Sequence, residues 1–117
     1  MTETSAAPIS YRVDGAVAAI RLERPAASNA LDRATKQELL SALTAASDDS
    51  VRAVLITAAG KNFCVGQDLA EHVEVLRTDP AHAMDTVAEH YNPLIQALHA
   101  IEVPIVIGIN GACVGAG

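Results

Sequence analysis

Ala53-Val54-Leu55-Ile56-Thr57 runs into Ala58-Ala59-Gly60-Lys61-Asn62-Phe63-Cys64-Val65-Gly66-Gln67-Asp68-Leu69. The pattern recurs in Pro104-Ile105-Val106-Ile107-Gly108-Ile109 followed by Asn110-Gly111-Ala112-Cys113-Val114-Gly115-Ala116-Gly117. Each stretch opens with an uncharged, largely β-branched run, the mark of a strand buried on both faces. Each then enters a glycine-bearing turn. In parallel α/β sheets the carboxyl ends of the strands share one edge, where ligands bind. Two glycine turns at that edge can aim backbone N–H groups at a single point, which is the geometry of an oxyanion hole.

Upstream, Ile9 to Val13 and Ala16 to Glu23 are β-prone segments separated by Asp14-Gly15, a hairpin turn. Pro25 ends the second and opens the small-residue loop Ala26-Ala27-Ser28-Asn29, in which Asn29 is expected to bond its own loop backbone. Asp32 reads as the N-cap of a helix reaching about Ser47, with Leu39, Leu40, Leu43 and Ala46 on one face. Between the two β-branched runs, Asp68 to Arg77 predicts a short helix started by Asp68. Asp79-Pro80 opens a longer one that extends to about Ala100. The order β-β-α-β-α-α-β predicts an α/β fold with a mostly parallel sheet entered through a hairpin.

The 117 residues suit one domain, and 50% hydrophobic with 19% charged residues is the balance of a globular chain rather than a disordered one. With aromatics at 3%, the core must be built from Ala, Val, Leu and Ile. A net charge of −6 argues against nucleic acid as a partner, because such binders need surplus Lys and Arg to displace counterions. The two cysteines, Cys64 and Cys113, are expected to be buried small hydrophobes. Residues 1–8 lack the basic and apolar regions of a secretory signal and are expected to be flexible. No uncharged run is long enough to span a bilayer, so a cytoplasmic protein without a membrane partner is expected.

Several motifs fail on inspection. Gly60-Lys61 lacks the rest of a phosphate loop, since Leu55 and Asn62 stand where Gly and Ser/Thr are required. Gly111, Gly115 and Gly117 give GxxxGxG, not the dinucleotide spacing GxGxxG. His72, His82, His90 and His99 have no accompanying Glu-x-x-His, and no metal site is expected. A nucleophilic serine in GxSxG is absent.

Three segments, in order, resemble one family. Arg24-Pro25-Ala26-Ala27-Ser28-Asn29-Ala30-Leu31 is similar to the crotonase loop RPxxxNAL. Val51 to Thr57 with Gly60 to Leu69 is similar to its VRAVVLTGxGxxFCAGxDL segment, and Pro104 to Gly117 to its KPVIAAVNGxAxGGG segment. The resemblance to the crotonase (enoyl-CoA hydratase/isomerase) family implies a crotonase-like (ClpP/crotonase) spiral of ββα units. Residues 1–117 would form the N-terminal part of a single such domain. It implies an acyl-CoA substrate, with coenzyme A entering as part of that substrate and no tightly bound cofactor, and a homo-trimer or hexamer. By position, the catalytic donors would be the backbone N–H groups of Gln67 and Ala116. The substrate-binding set would be Ala26, Ala27 and Ser28 near the CoA adenine, with Gly66, Gln67, Asp68, Leu69 and Gly115 at the acyl thioester.

Gly115-Ala116-Gly117 departs from the family's glycine triplet at its centre. Members of the family are longer, and the carboxylates that serve hydratases as acid and base follow the third glycine. The chain reads as cut inside an element. Loss of the remainder is expected to expose the apolar faces of residues 53–57 and 104–109. Gly66-Gln67-Asp68-Leu69, His90-Tyr91-Asn92-Pro93-Leu94 and Gly115-Ala116-Gly117 further resemble the branch of 1,2-epoxyphenylacetyl-CoA isomerases, and a simple hydratase or a double-bond isomerase fits the same residues. The functional expectation is an enoyl-CoA hydratase or isomerase that stabilises a thioester enolate. Its alternative is a truncated, non-catalytic CoA-binding remnant without acid/base carboxylates, and an unrelated nucleotide-binding module is a third reading.

Overall fold

A computed structural model describes residues 7–117. Strands β1 (Ile9–Asp14) and β2 (Val17–Leu22) pair antiparallel, Ile9 opposite Leu22 and Asp14 opposite Val17. Gly15 closes the hairpin at φ +62°, a left-handed conformation that favours glycine. Strand β3 (Ala53–Ala58) runs parallel to β2, and β4 (Ile105–Ile107) parallel to β3, in the spatial order β1-β2-β3-β4. Helix α1 (Arg33–Ala45) connects β2 to β3; α2 (Leu69–Thr78) and α3 (Asn92–Ala100) connect β3 to β4. The order is the one the sequence predicts. Of the segment expected to be flexible, residues 1–6 lie outside the described residues, and the Pro8 carbonyl accepts from Glu23 N at 2.8 Å.

Ala18, Ile20 and Leu22 of β2 and Val54, Ile56 and Ala58 of β3 point to one side and pack with Ala42, Leu43 and Ala46 beneath α1 and with Leu94 of α3. The expectation that residues 53–57 are buried on both faces fails. Ala53, Leu55 and Thr57 are half-buried, because the opposite face of the sheet is a shallow open groove that also carries Arg12, Ala19 and Arg21. Strand β4 departs further. Val106 and Ile107 are exposed, as an edge strand with no element packed over these side chains among the described residues must be. Cys64 is buried, and Cys113 is exposed rather than buried because its turn sits beyond that edge.

Asp32 caps α1, its carboxylate accepting from Thr35 N at 2.9 Å. Burial alone would raise the Asp32 pKa; the Thr35 hydroxyl and amide and the Arg24 guanidinium outweigh it and bring the carboxyl below its usual range. A depressed carboxyl contributes stability that is present above the unfolded-state pKa and is lost as pH falls through the folded value. Asp32→Ala is therefore expected to lower stability by about 1 kcal/mol at neutral pH. The variant's stability should also decline less steeply on acidification, as urea melts at several pH values will show.

The long helix expected from Asp79 to Ala100 is broken. A 3-10 turn, Pro80–His82, is followed by a π-helical turn, Val87–Tyr91, before α3 begins. Pro93 has no N–H for the Glu89 carbonyl, and its ring crowds that oxygen. The backbone widens just before the proline, where Asn92 N donates to Val87 O, one residue beyond its ordinary α-helical acceptor, Ala88 O.

Candidate active site

Three loops gather at the carboxyl ends of β2, β3 and β4. In the first, Asn29 stands in a left-handed conformation (φ 57°) and is 1% exposed. Its Oδ1 accepts from Arg24 N at 2.8 Å, the expected bond to its own loop. Its Nδ2 also donates to Ala59 O at 2.9 Å and Asn62 O at 3.0 Å, which fastens the second loop to the first. Asn62 Nδ2 returns a bond to Ser28 Oγ at 3.0 Å. The Arg24 guanidinium donates to Ala30 O at 2.6 Å and to Asp68 at 3.2 Å, and Asp68 in turn caps α2 by accepting from Glu71 N at 3.0 Å. Asn29→Ala strands the buried Ala59 carbonyl and leaves the partly buried Arg24 amide and Asn62 carbonyl without this partner. It is expected to cost about 3 kcal/mol, read as a lower urea midpoint.

The second and third loops interlock. Phe63 N and Cys64 N both donate to Ala112 O, at 3.0 and 3.1 Å, and Val114 N donates to Cys64 O at 3.1 Å. Asn110 Nδ2 reaches Gly60 O at 2.6 Å. Backbone meets backbone so closely that a Cβ on Gly111 would lie 1.8 Å from Lys61 O.

This packing presents two amides. Leu31 N donates to Gly66 O at 2.7 Å and Asp68 N to Leu31 O at 3.0 Å. Alternation along that short parallel bridge turns the Gln67 N–H to the opposite side. Gly66, at φ +92°, lies against Ala116: a Cβ there would be 3.0 Å from Ala116 N. Among the described residues neither Gln67 N nor Ala116 N meets an acceptor in the protein. Both residues border one cleft of about 390 Å³, with Val65, Leu69, Val87 and Gly115 around them.

Gln67, Leu69, Gly115 and Ala116 thus meet at the cleft, with Gly66 directly behind, whereas Asp68 turns away to Arg24 and its helix. Ala26, Ala27 and Ser28 stand apart, on a 3-10 turn of the first loop joined to the second through Asn62. The residues that sequence reasoning overlooked lie beneath Gln67. Lys36, 1% exposed, donates to Gln67 Oε1 at 3.0 Å and to Thr86 Oγ1, and its ammonium sits 4.5 Å from the Tyr91 ring centre. Tyr91 OH donates to the same Oε1 at 2.6 Å, and Thr86 Oγ1 meets His90 Nδ1 at 2.9 Å. Burial pushes the Lys36 pKa down and the Tyr91 phenol up to about 12. Burial, then the Lys36 and Arg33 charges, pushes His90 down. The overlooked signal was positional: Lys36 stands three, four and seven residues before Leu39, Leu40 and Leu43, on their stripe.

A hairpin leading into a parallel sheet, with interlocked turns at the strand ends, defines the crotonase-like class of α/β fold. Residues 12–117 match the description of the enoyl-CoA hydratase/isomerase family, and the chain belongs to that family. It is similar to a Rhodobacter capsulatus protein named a probable enoyl-CoA hydratase, 36% identical over 109 residues that make up 93% of this chain and 40% of the relative. It is also similar to the 1,2-epoxyphenylacetyl-CoA isomerase of Escherichia coli, 35% identical over 111 residues, 93% of this chain and 42% of that protein. A crystal structure of a candidate enoyl-CoA hydratase/isomerase from Mycobacterium abscessus superposes with a TM-score of 0.90 at 70% identity, over 92% of this chain and 42% of the other. The chain spans about 40% of the length of the curated relatives it matches. No helix among the described residues is long and apolar enough to cross a membrane.

Proposed function

We propose that the chain binds an acyl-CoA thioester with its carbonyl oxygen between the backbone N–H groups of Gln67 and Ala116, as part of an enoyl-CoA hydratase or isomerase. The observation that carries this reading is the pair of amides that meet no protein acceptor among the described residues, on two interlocked turns that border one cleft. Removing a proton next to a thioester, or adding water across a conjugated double bond, moves negative charge onto that oxygen. Donors already fixed in place stabilise the charge without reorganising. Because the donors are backbone groups, an alanine at 116 serves as well as a glycine. Val65, Leu69 and Val87 give the acyl group an apolar wall.

Coenzyme A arrives as part of the substrate rather than as a resident cofactor, with its adenine near Ala26, Ala27 and Ser28. In this reading the protein is cytoplasmic and works as a homo-trimer or hexamer. The exposed Val106, Ile107 and Ile109 form an apolar edge suited to contact with another chain or with the rest of a full-length domain. The test is a competition titration. An acyl-CoA should be displaced by free CoA and not by ATP or NAD; displacement by ATP or NAD at comparable concentrations rejects the thioester site. Hydration of an enoyl-CoA followed in the same preparation separates the enzyme from a remnant that binds CoA without turnover.

A further inference from the structure

Lys36 is a cation in the core of a small domain, and its position is costly. Taking an ammonium out of water is costly unless the site compensates, typically with a counter-ion. Among the described residues no ion pair involves Lys36. Its direct partners are neutral, Gln67 Oε1, Thr86 Oγ1 and the face of Tyr91, and the carboxylates of Glu71, Asp32 and Asp68 act on it only from beyond ion-pair distance. A leucine or methionine at 36 would extend the Leu39, Leu40 and Leu43 stripe with no desolvation cost. Packing alone therefore does not account for a lysine here.

The bonds converge on one side chain. Gln67 Oε1 accepts from both Lys36 Nζ and Tyr91 OH, while Gln67 Nε2 donates to Asp68 O at 3.3 Å. Both ends of the amide are held. Lys36 comes from α1, Tyr91 from the π-helical turn before α3, and Gln67 from the loop after β3, so three separate elements meet there. The backbone on both sides of Gln67 is fastened to Leu31, through Gly66 O and Asp68 N, and the clamp adds a hold on its side chain.

We propose that Lys36 is a positioning residue: with Tyr91 it clamps the Gln67 side chain and so steadies the Gln67 backbone N–H in the direction that the Leu31 bridge gives it at the cleft. The inference rests on the reading that this N–H and that of Ala116 bind the thioester oxygen. Lys36 acts through Gln67 and touches no substrate.

The test is the carbonyl stretch of a bound acyl-CoA, isotopically labelled at the thioester carbon and read by infrared difference spectroscopy. A carbonyl held by two amides absorbs at lower frequency than in water. The wild-type chain should show that downshift. Lys36→Met and Gln67→Leu, each confirmed as folded by circular dichroism, should each lose a measurable part of it, as the Gln67 N–H is held less steadily while the Ala116 N–H is unaffected. The double variant should lose no more than the larger single loss, because both act through one contact. A downshift in the wild type that Lys36→Met keeps in full overturns the role of Lys36 alone. Absence of a downshift in the wild type overturns the oxyanion site and, with it, this inference. If Lys36→Met does not fold, Gln67→Leu decides: it retains Lys36 and the backbone N–H, and an undiminished downshift there overturns the clamp.

Discussion

If the proposed reading holds, Ala116→Pro in the complete enzyme is expected to lower the kcat for an enoyl-CoA by about 100- to 1,000-fold, the loss that follows removal of one oxyanion donor. The variant isolates that donor. Among the described residues Ala116 N bonds nothing in the protein, and the turn around it is closed by Gly117 N donating to Val114 O at 2.9 Å. The preceding residue is Gly115, at φ +58°, which has no Cβ to clash with a proline ring. The fold should survive and affinity for free CoA should change little. A fall in kcat with a nearly constant KM marks an interaction made in the transition state. Unchanged turnover would remove Ala116 from the site.

Gly111→Ala should have the largest effect on the fold itself. A methyl group 1.8 Å from Lys61 O and 2.9 Å from the Lys61 carbonyl carbon has no room, and both neighbours are backbone. The third loop must lift from the second, breaking the bonds of Phe63 and Cys64 to Ala112 O and that of Asn110 to Gly60 O. Overpacking of this severity is expected to cost about 3 kcal/mol. For a domain of this size that corresponds to roughly 10–20 °C in Tm, measurable by thermal denaturation. Acyl-CoA affinity should fall with it, because Ala116 is carried away from Gly66.

The features that local chemistry determines were legible in the sequence. Asp14-Gly15 marks the hairpin, and Asp32 and Asp68 cap their helices as their side chains predict. The β-branched runs gave the order of strands. Burial was less legible, because it depends on what lies over a residue rather than on the residue. Leu55, Val106 and Cys113 look alike in sequence to residues of the core, yet the first is half-buried and the others are exposed. Pro93 was visible, but the widened turn before it was not, because a proline in the first turn of a helix is as compatible with an ordinary helix start. In the site, the two amides carry no side-chain signature at all. Only the glycine turns and the motif order pointed to them. Lys36 was missed because a lysine on a helix reads as solvated, and its partners Gln67, Thr86 and Tyr91 are distant in the chain.

The central claim is that one carbonyl oxygen sits between two backbone amides, and a crystal structure of the chain with a bound acyl-CoA tests it directly. The thioester oxygen should lie about 3 Å from both Gln67 N and Ala116 N, with the acyl group against Val65, Leu69 and Val87. A thioester bound elsewhere, or one in this cleft with its oxygen turned to solvent, would contradict it.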